Sequence, residues 1–120
     1  MHPFRAGHDA ETAAAVPAHD VVFRSPIVSK PYTGRSATGA MLAPALRVFD
    51  DLDYEGDLTS EDGRHHALKF RARVHGKNIQ GCDFLHHHQD GRVVQLTVMV
   101  GPLTAAVALR DRVAAELARA

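Results

Sequence analysis

The sequence predicts an α+β fold, in which a curved, mostly antiparallel sheet wraps over helices as a cone with an internal pocket. First, three consecutive runs at 68–76, 81–91 and 92–100 alternate apolar and polar residues, as strands with one buried face do. Second, Gly-Lys-Asn and Gln-Asp-Gly stand at the joints and suit tight hairpins. Third, helical patterns stand before and after a run of four strands, which favours α+β over alternating α/β.

The chain begins with short elements. An Ala-rich helix is predicted over 9–16, where Asp9 can cap it and Pro17 ends it. A brief strand follows at 21–23, and Pro31-Tyr-Thr-Gly34 reads as a turn. These features predict a short N-terminal layer that leads into the main helix.

The main helix is predicted over 36–49. Pro44 has no N–H to donate, so it is expected to bend the helix or restart it. A strand over 52–58 and a polar turn over 59–64 lead into the three alternating runs. The apolar stripe of this helix consists of Leu42, Ala45, Leu46 and Phe49.

A last helix is predicted to begin at Pro102, because proline suits the first turn of a helix. Arg110 falls within its apolar stripe, so it has to extend to solvent or find an acidic partner. The predicted stripe consists of Leu103, Ala106, Val107, Val113 and Leu117.

Composition restricts the class of protein. The 120 residues suit one domain spanning 1–120. Fourteen basic residues balance fourteen acidic ones without a basic run, so neither a nucleic acid nor a membrane is an expected partner. The sequence shows no signal peptide or transmembrane helix, and its one cysteine, Cys82, suits a reducing compartment. We therefore expect a cytoplasmic protein without a cofactor.

Several short motifs occur together along the chain. They are Asp-Val-Val-Phe-Arg-Ser-Pro at 20–26, Pro-Tyr-Thr-Gly-Arg at 31–35 before a helix, Gly-Cys-Asp at 81–83 and Asp-Gly-Arg-Val at 90–93. In this order the chain resembles the nuclear transport factor 2-like superfamily, especially its SnoaL-like polyketide cyclase and ketosteroid isomerase branches. The resemblance spans nearly the whole chain and implies a single SnoaL-like domain with the cone fold.

The resemblance carries over to the site only in part. In the isomerases a catalytic aspartate stands where this chain has Ser25 before Pro26. The isomerases also use a tyrosine of the first helix in their oxyanion hole, whereas no tyrosine precedes Tyr32 in this chain. Their second oxyanion donor, an aspartic acid, has a counterpart in Asp83. The resemblance therefore argues against steroid isomerisation by the known mechanism. In SnoaL-like cyclases a carboxylate or histidine is the base, a part that either Asp83 or His87 could take.

Strand alternation assigns faces to these candidates. If Asp83 points into the cone, Leu85 and His87 point inward with it, and Cys82, Phe84, His86 and His88 face outward. The neighbouring strands then make the wall almost wholly apolar, and Tyr54 can add a hydroxyl. Such cavities with few polar groups suit small molecules, although the same residues could form a filled core. The inward set on those strands is Leu68, Phe70, Ala72, Val74, Val94, Leu96, Val98 and Val100.

Nine histidines raise the question of a metal site. His86 and His88 share one strand face, and His65 and His66 stand near the preceding strand's start. A zinc site needs three or four converging ligands, and adjacent histidines divide between two faces. We therefore expect no metal. Cys82 lies far from any predicted helix N-terminus and is expected to be a packing residue.

Two functions stay open on this basis. The first is a cone domain that holds a small, mainly apolar molecule, with isomerase or cyclase chemistry implied by the resemblance and Asp83 as the main polar group. The second is a non-catalytic dimerisation or accessory module with a collapsed pocket. In either case the mixed outer face of the last strand predicts a homodimer through the sheet.

Overall fold

A computed structural model describes residues 17–119, so the helix predicted over 9–16 lies outside the described part of the chain. The described residues form six strands and two helices. In chain order they are β1 (Pro17–Arg24), β2 (Tyr32–Thr33), α1 (Arg35–Val48), β3 (Asp50–Thr59), β4 (His65–Val74), β5 (Lys77–His87), β6 (Val93–Gly101) and α2 (Leu103–Ala118).

The strands form one curved, open sheet in the order β2-β1-β6-β5-β4-β3. Strands β3 to β6 are an antiparallel meander, whereas β1 pairs with β6 in parallel and with β2 in antiparallel fashion. Helix α1 packs on β1 and β2, helix α2 packs on β4 to β6, and the two helices contact each other. The predicted α+β class with a mostly antiparallel sheet is confirmed.

The hairpin between β4 and β5 turns earlier than predicted. His75 and Gly76 have φ values of 52° and 78°, which is typical of a two-residue turn whose twist matches the flanking strands. Lys77 and Asn78, assigned to the joint from the sequence, are already part of β5. The predicted Gln-Asp-Gly turn is present, with Gly91 at φ 87°.

A β-bulge at the start of β6 changes one predicted face. His86 pairs with Gln95, but the next residue, His87, pairs with Val93, so Val94 is the extra residue. A bulge reverses the alternation beyond it. The prediction that Val94 points inward was therefore wrong: Val93 is fully buried and Val94 is half-buried.

The predicted helix over 36–49 is confirmed as α1, which contains Pro44. Helix α2 buries Val113 as predicted, together with Ala105 and Leu109, which the predicted stripe did not include; the three side chains face the sheet at spacings of four. Leu103 is 78% exposed, and Arg110 is exposed and pairs with its neighbour Asp111. Ala105 lets the helix approach the sheet closely, although the predicted stripe did not include it.

Two adjoining groups of buried side chains form the core. The first lies under β1 and the middle of the meander, and it includes Phe23, Tyr54, Phe70 and Leu96. The second lies under α2 and includes Val74, Ile79 and Leu109. Within residues 17–119, neither helix is long and apolar enough to cross a membrane.

Candidate functional site

A cavity of about 70 Å³ lies between the inner face of the sheet and the two helices. Helix α1 contributes one wall, helix α2 contributes Leu109 and Val113, and the sheet and the end of β1 contribute the rest. Only three of its seventeen lining residues, Ser25, Tyr54 and Asp83, have polar side chains. The α1 wall consists of Met41, Leu42, Ala45, Leu46 and Phe49.

Among the residues of 17–119 that line the cavity, Asp83 is the only one with a carboxyl group. It lies in the middle of β5, between Leu68 on β4 and Val98 on β6, and it is 9% exposed. Burial raises the pKa of Asp83 to about 6, while a hydrogen bond from Tyr54 acts in the opposite direction. The carboxyl therefore titrates close to neutral pH, as a group that carries protons has to do.

Tyr54 on β3 reaches Asp83 diagonally across β4. Its hydroxyl donates to Asp83 Oδ2 at 2.8 Å, and both residues are buried. Tyr54 pairs with Phe70, which in turn pairs with Gly81. Gly81 has no side chain, and the Tyr54 hydroxyl meets the carboxyl of Asp83, two residues further along β5.

Two further aromatic rings, Phe70 and Phe49, continue from this pair along the cavity. Phe70 makes edge-to-face contacts with Tyr54 at 5.9 Å and with Phe49 at 5.6 Å between ring centroids. The Phe70 ring occupies the space above Gly81, where an added Cβ would lie 2.6 Å from Phe70 Cζ. Gly81 thereby fixes where Phe70, and through it Tyr54, can lie.

Ser25 follows directly after β1 and lies on the cavity beside Pro26 and Ile27. Its Oγ accepts a hydrogen bond from the Ile27 N–H at 3.1 Å. Pro26 has no N–H, so Ile27 offers the first backbone donor after the serine. The short turn holds a hydroxyl at the place where the resemblance assigns a catalytic aspartate.

The predicted site residues divide into two groups. Tyr54, Phe70, Asp83, Leu96 and Val98 line the cavity. Three further predicted pocket residues are buried but lie off the cavity lining, because the alternation of a strand gives its face and not the position of the cavity along it. These are Leu68, Ala72 and Leu85.

His87 does not lie on the cavity lining. It is four residues from Asp83 on the same strand, a distance of about 13 Å. Its ring makes an edge-to-face contact with His66 at 5.0 Å, its backbone N–H donates to Arg64 O at 2.7 Å, and burial and then His66 lower its pKa. The structure does not bring His87 to the cavity that Asp83 lines.

Sequence reasoning missed the cavity residues outside the meander. Ser25 was considered only as the counterpart of the isomerases' aspartate, and Leu109 was not included in the predicted stripe of α2. For α1 the signal was present, because all four residues of its predicted stripe line the cavity. The motif that ends in Ser25-Pro26 was the other available signal.

Three further histidines, His65, His66 and His86, lie near His87 at one end of the sheet. His65 and His86 stack across β4 and β5 at 4.2 Å, and His66 Nδ1 lies 3.2 Å from Asp57 Oδ1. Over residues 17–119, no three histidine, cysteine or acidic side chains converge to hold a metal ion. Cys82 is half-buried, and burial and then Asp83 raise the pKa of its thiol, which does not suit a nucleophile.

A family profile described as the SnoaL-like domain matches residues 4–96. The chain belongs to the SnoaL-like family. This assignment confirms the resemblance drawn from the motifs at 20–26, 31–35, 81–83 and 90–93. No curated protein matches this SnoaL-like chain.

Solved structures agree with the family. A steroid delta-isomerase from Pseudomonas aeruginosa is 32% identical, with 99% of this chain and 97% of that one covered and a TM-score of 0.88. A cystatin-like protein from Silicibacter pomeroyi is 29% identical, with 86% and 72% covered and a TM-score of 0.81. A SnoaL-like protein of unknown function from Burkholderia thailandensis shares the fold at 20% identity, with 80% and 83% covered and a TM-score of 0.62.

Proposed function

We propose that this SnoaL-like domain binds a small, mainly apolar molecule with a carbonyl group, and that Asp83 moves a proton between carbon atoms of that molecule. The observation that carries the proposal is the buried Tyr54–Asp83 hydrogen bond of 2.8 Å within an otherwise apolar cavity. A carboxyl in such surroundings has a pKa near neutrality, where it can both accept and return a proton. The relationship to a steroid delta-isomerase supports this class of reaction.

The chemistry follows from the protonation state of Asp83. Its pKa of about 6 leaves most of the side chain as carboxylate at pH 7, and Tyr54 stabilises that form by donating to it. The carboxylate can remove a proton from the carbon next to a carbonyl and return it to the same or another carbon. The first outcome is proton exchange, and the second is isomerisation.

The experiment is α-proton exchange of cyclopentanone in D₂O, followed by ¹H NMR. The wild-type chain is expected to accelerate exchange, and Asp83→Asn to lower the rate by roughly 10²- to 10⁴-fold, since general base catalysis contributes about that much. Asp20→Asn is the matched control, because Asp20 is exposed and lies off the cavity lining. Equal rates for Asp83→Asn and the wild type would refute the role of Asp83.

The size of the cavity favours a second candidate, a non-catalytic module. Its volume of about 70 Å³ is smaller than the roughly 150 Å³ of a cavity that holds benzene. A ring can enter only if flexible wall residues such as Met41 change rotamer. Isothermal titration with cyclopentanone separates the two candidates, because a closed module would show no saturable binding.

A further inference from the structure

The polar groups of the cavity offer few hydrogen-bond donors. Tyr54 already donates its hydroxyl proton to Asp83, and an ionised Asp83 can only accept. At pH 7 a carboxyl with a pKa of about 6 is protonated in about a tenth of the molecules. An oxygen that gains negative charge in this cavity therefore needs a donor other than the Tyr54–Asp83 pair.

Ser25 has such a donor. Its Oγ accepts from the Ile27 N–H at 3.1 Å, which uses one lone pair and leaves the hydroxyl proton to donate. Among residues 17–119, the Ser25 hydroxyl donates no hydrogen bond. The turn over Pro26 holds Ser25 on the cavity lining together with Asp83.

We propose that the Ser25 hydroxyl holds the carbonyl oxygen of the ligand while Asp83 takes the carbon-bound proton, so that the preferred substrate class is small enolisable ketones and aldehydes. This inference rests on the proposed function. The resemblance implies a catalytic aspartate where this chain has Ser25, and an oxyanion donor at Asp83. In this proposal the two roles are exchanged, because Ser25 is the donor and Asp83 is the base.

The step balances without a co-reactant. The C–H bond next to the carbonyl breaks, and its proton forms an O–H bond with the Asp83 carboxylate. The electron pair of that bond forms a C=C bond, and the carbonyl becomes an enolate oxygen that accepts from Ser25. Return of the proton from Asp83 to carbon restores the carbonyl and the carboxylate. A donor that meets charge developing on oxygen acts mainly in the transition state.

The test uses cyclopentanone labelled with ¹³C at the carbonyl, because the shift of that carbon reports a hydrogen bond to its oxygen. Bound to the wild type, the carbonyl signal is expected to move downfield, and Ser25→Ala to abolish the movement. Ser25→Ala is also expected to lower kcat for exchange by about 10²-fold with KM within a few-fold, as for loss of one oxyanion donor. Ser25→Thr keeps the hydroxyl and should retain both properties.

Ser29→Ala is the matched control, because Ser29 is exposed and lies off the cavity lining. If Ser25→Ala does not fold, Ser25→Cys replaces it, since a thiol is a weak donor; a wild-type rate and shift in that variant would overturn the inference. A wild-type shift and rate in folded Ser25→Ala, with exchange lost in Asp83→Asn, would refute the role of Ser25 and leave the proposed function standing. No binding and no exchange by the wild type would overturn both.

Discussion

At Asp83, the cost of burying a charge exceeds the benefit of the Tyr54 hydrogen bond. Burial disfavours the carboxylate, and the net result is a pKa of about 6 against a model value of 3.8. The folded state holds the proton of Asp83 more tightly than the unfolded state does. The contribution of Asp83 to the free energy of unfolding is therefore greatest at low pH. It falls as pH rises from about 4 to about 6.

Replacing Asp83 with Asn should remove that dependence. The amide cannot ionise and can still accept from Tyr54, so we expect the free energy of unfolding at pH 7.5 to rise by about 1–3 kcal/mol. Urea unfolding at pH 4.5 and pH 7.5 measures the difference between the two proteins. A variant that is less stable than the wild type at pH 7.5 would contradict the burial argument.

Removing the Tyr54 hydroxyl should shift the titration of Asp83. In Tyr54→Phe the carboxylate loses a charge-assisted hydrogen bond, so the pKa of Asp83 is expected to rise above about 6. Carboxyl ¹³C NMR follows the titration directly. Tyr32→Phe is the control: Tyr32 stacks on Phe23 and lies off the cavity lining. An unchanged titration in Tyr54→Phe would show that the hydrogen bond has no influence.

The sequence was informative about which way single side chains point. Alternation put Asp83 on the same face as Leu85, and both side chains are buried. It could not identify the partner of Asp83, because contacts between strands depend on register and diagonal reach. Tyr54 is on another strand and twenty-nine residues away, whereas His87 shares the face but lies too far along the strand.

Among the elements, β5 depends most on a single small residue. Gly81→Ala would place a methyl group against the Met99 backbone oxygen on β6 and within 2.6 Å of Phe70 Cζ, so both the strand and the ring have to move, at a cost of about 1–3 kcal/mol. The displaced Phe70 should also disturb Tyr54. Chemical denaturation and the Asp83 titration measure both effects.

Gly56→Ala on β3 is the control for this substitution. Nothing lies within 4 Å of a Cβ added there, and its φ is not positive, so a change below about 0.5 kcal/mol is expected. If Gly81→Ala is no more destabilising than Gly56→Ala, the packing argument for Phe70 fails.

Elements whose apolar residues recur at a regular spacing were predicted well, whereas elements without such a spacing were not. The meander and α1 followed from alternation and a clear stripe. The bulge at Val94 has no local signature, because Val93 and Val94 are chemically the same. Helix α2 has small apolar residues on several faces, so only packing against the sheet decides that Ala105, Leu109 and Val113 are buried.

For the molecule as a whole, the outer face of the sheet carries the largest exposed apolar surface of the meander. Leu58, Phe84 and Met99 are 78%, 42% and 59% exposed, and they border a groove of about 940 Å³. Exposed apolar patches of this kind mark sites of association. They support the proposal of a homodimer through the sheet.

Light scattering at tens of micromolar is expected to give twice the monomer mass. Phe84→Lys should give the monomer, because a charge at the centre of the contact would be desolvated. Leu103→Lys is the control, since Leu103 is equally apolar and 78% exposed but lies on α2. A wild-type monomer at that concentration, or dimers of Phe84→Lys, would argue against this surface.

The parallel pairing of β1 with β6 has a consequence for the order of folding. Val22 meets Gln95, so this contact closes a very long loop, whereas each step of the meander closes a short one. Contacts of high sequence separation form late and slowly. During synthesis on the ribosome, β1 is made before β6 and can pair with it only after β6 has been made. Ser25, which follows β1, therefore joins Asp83 on the cavity lining only after the meander has formed.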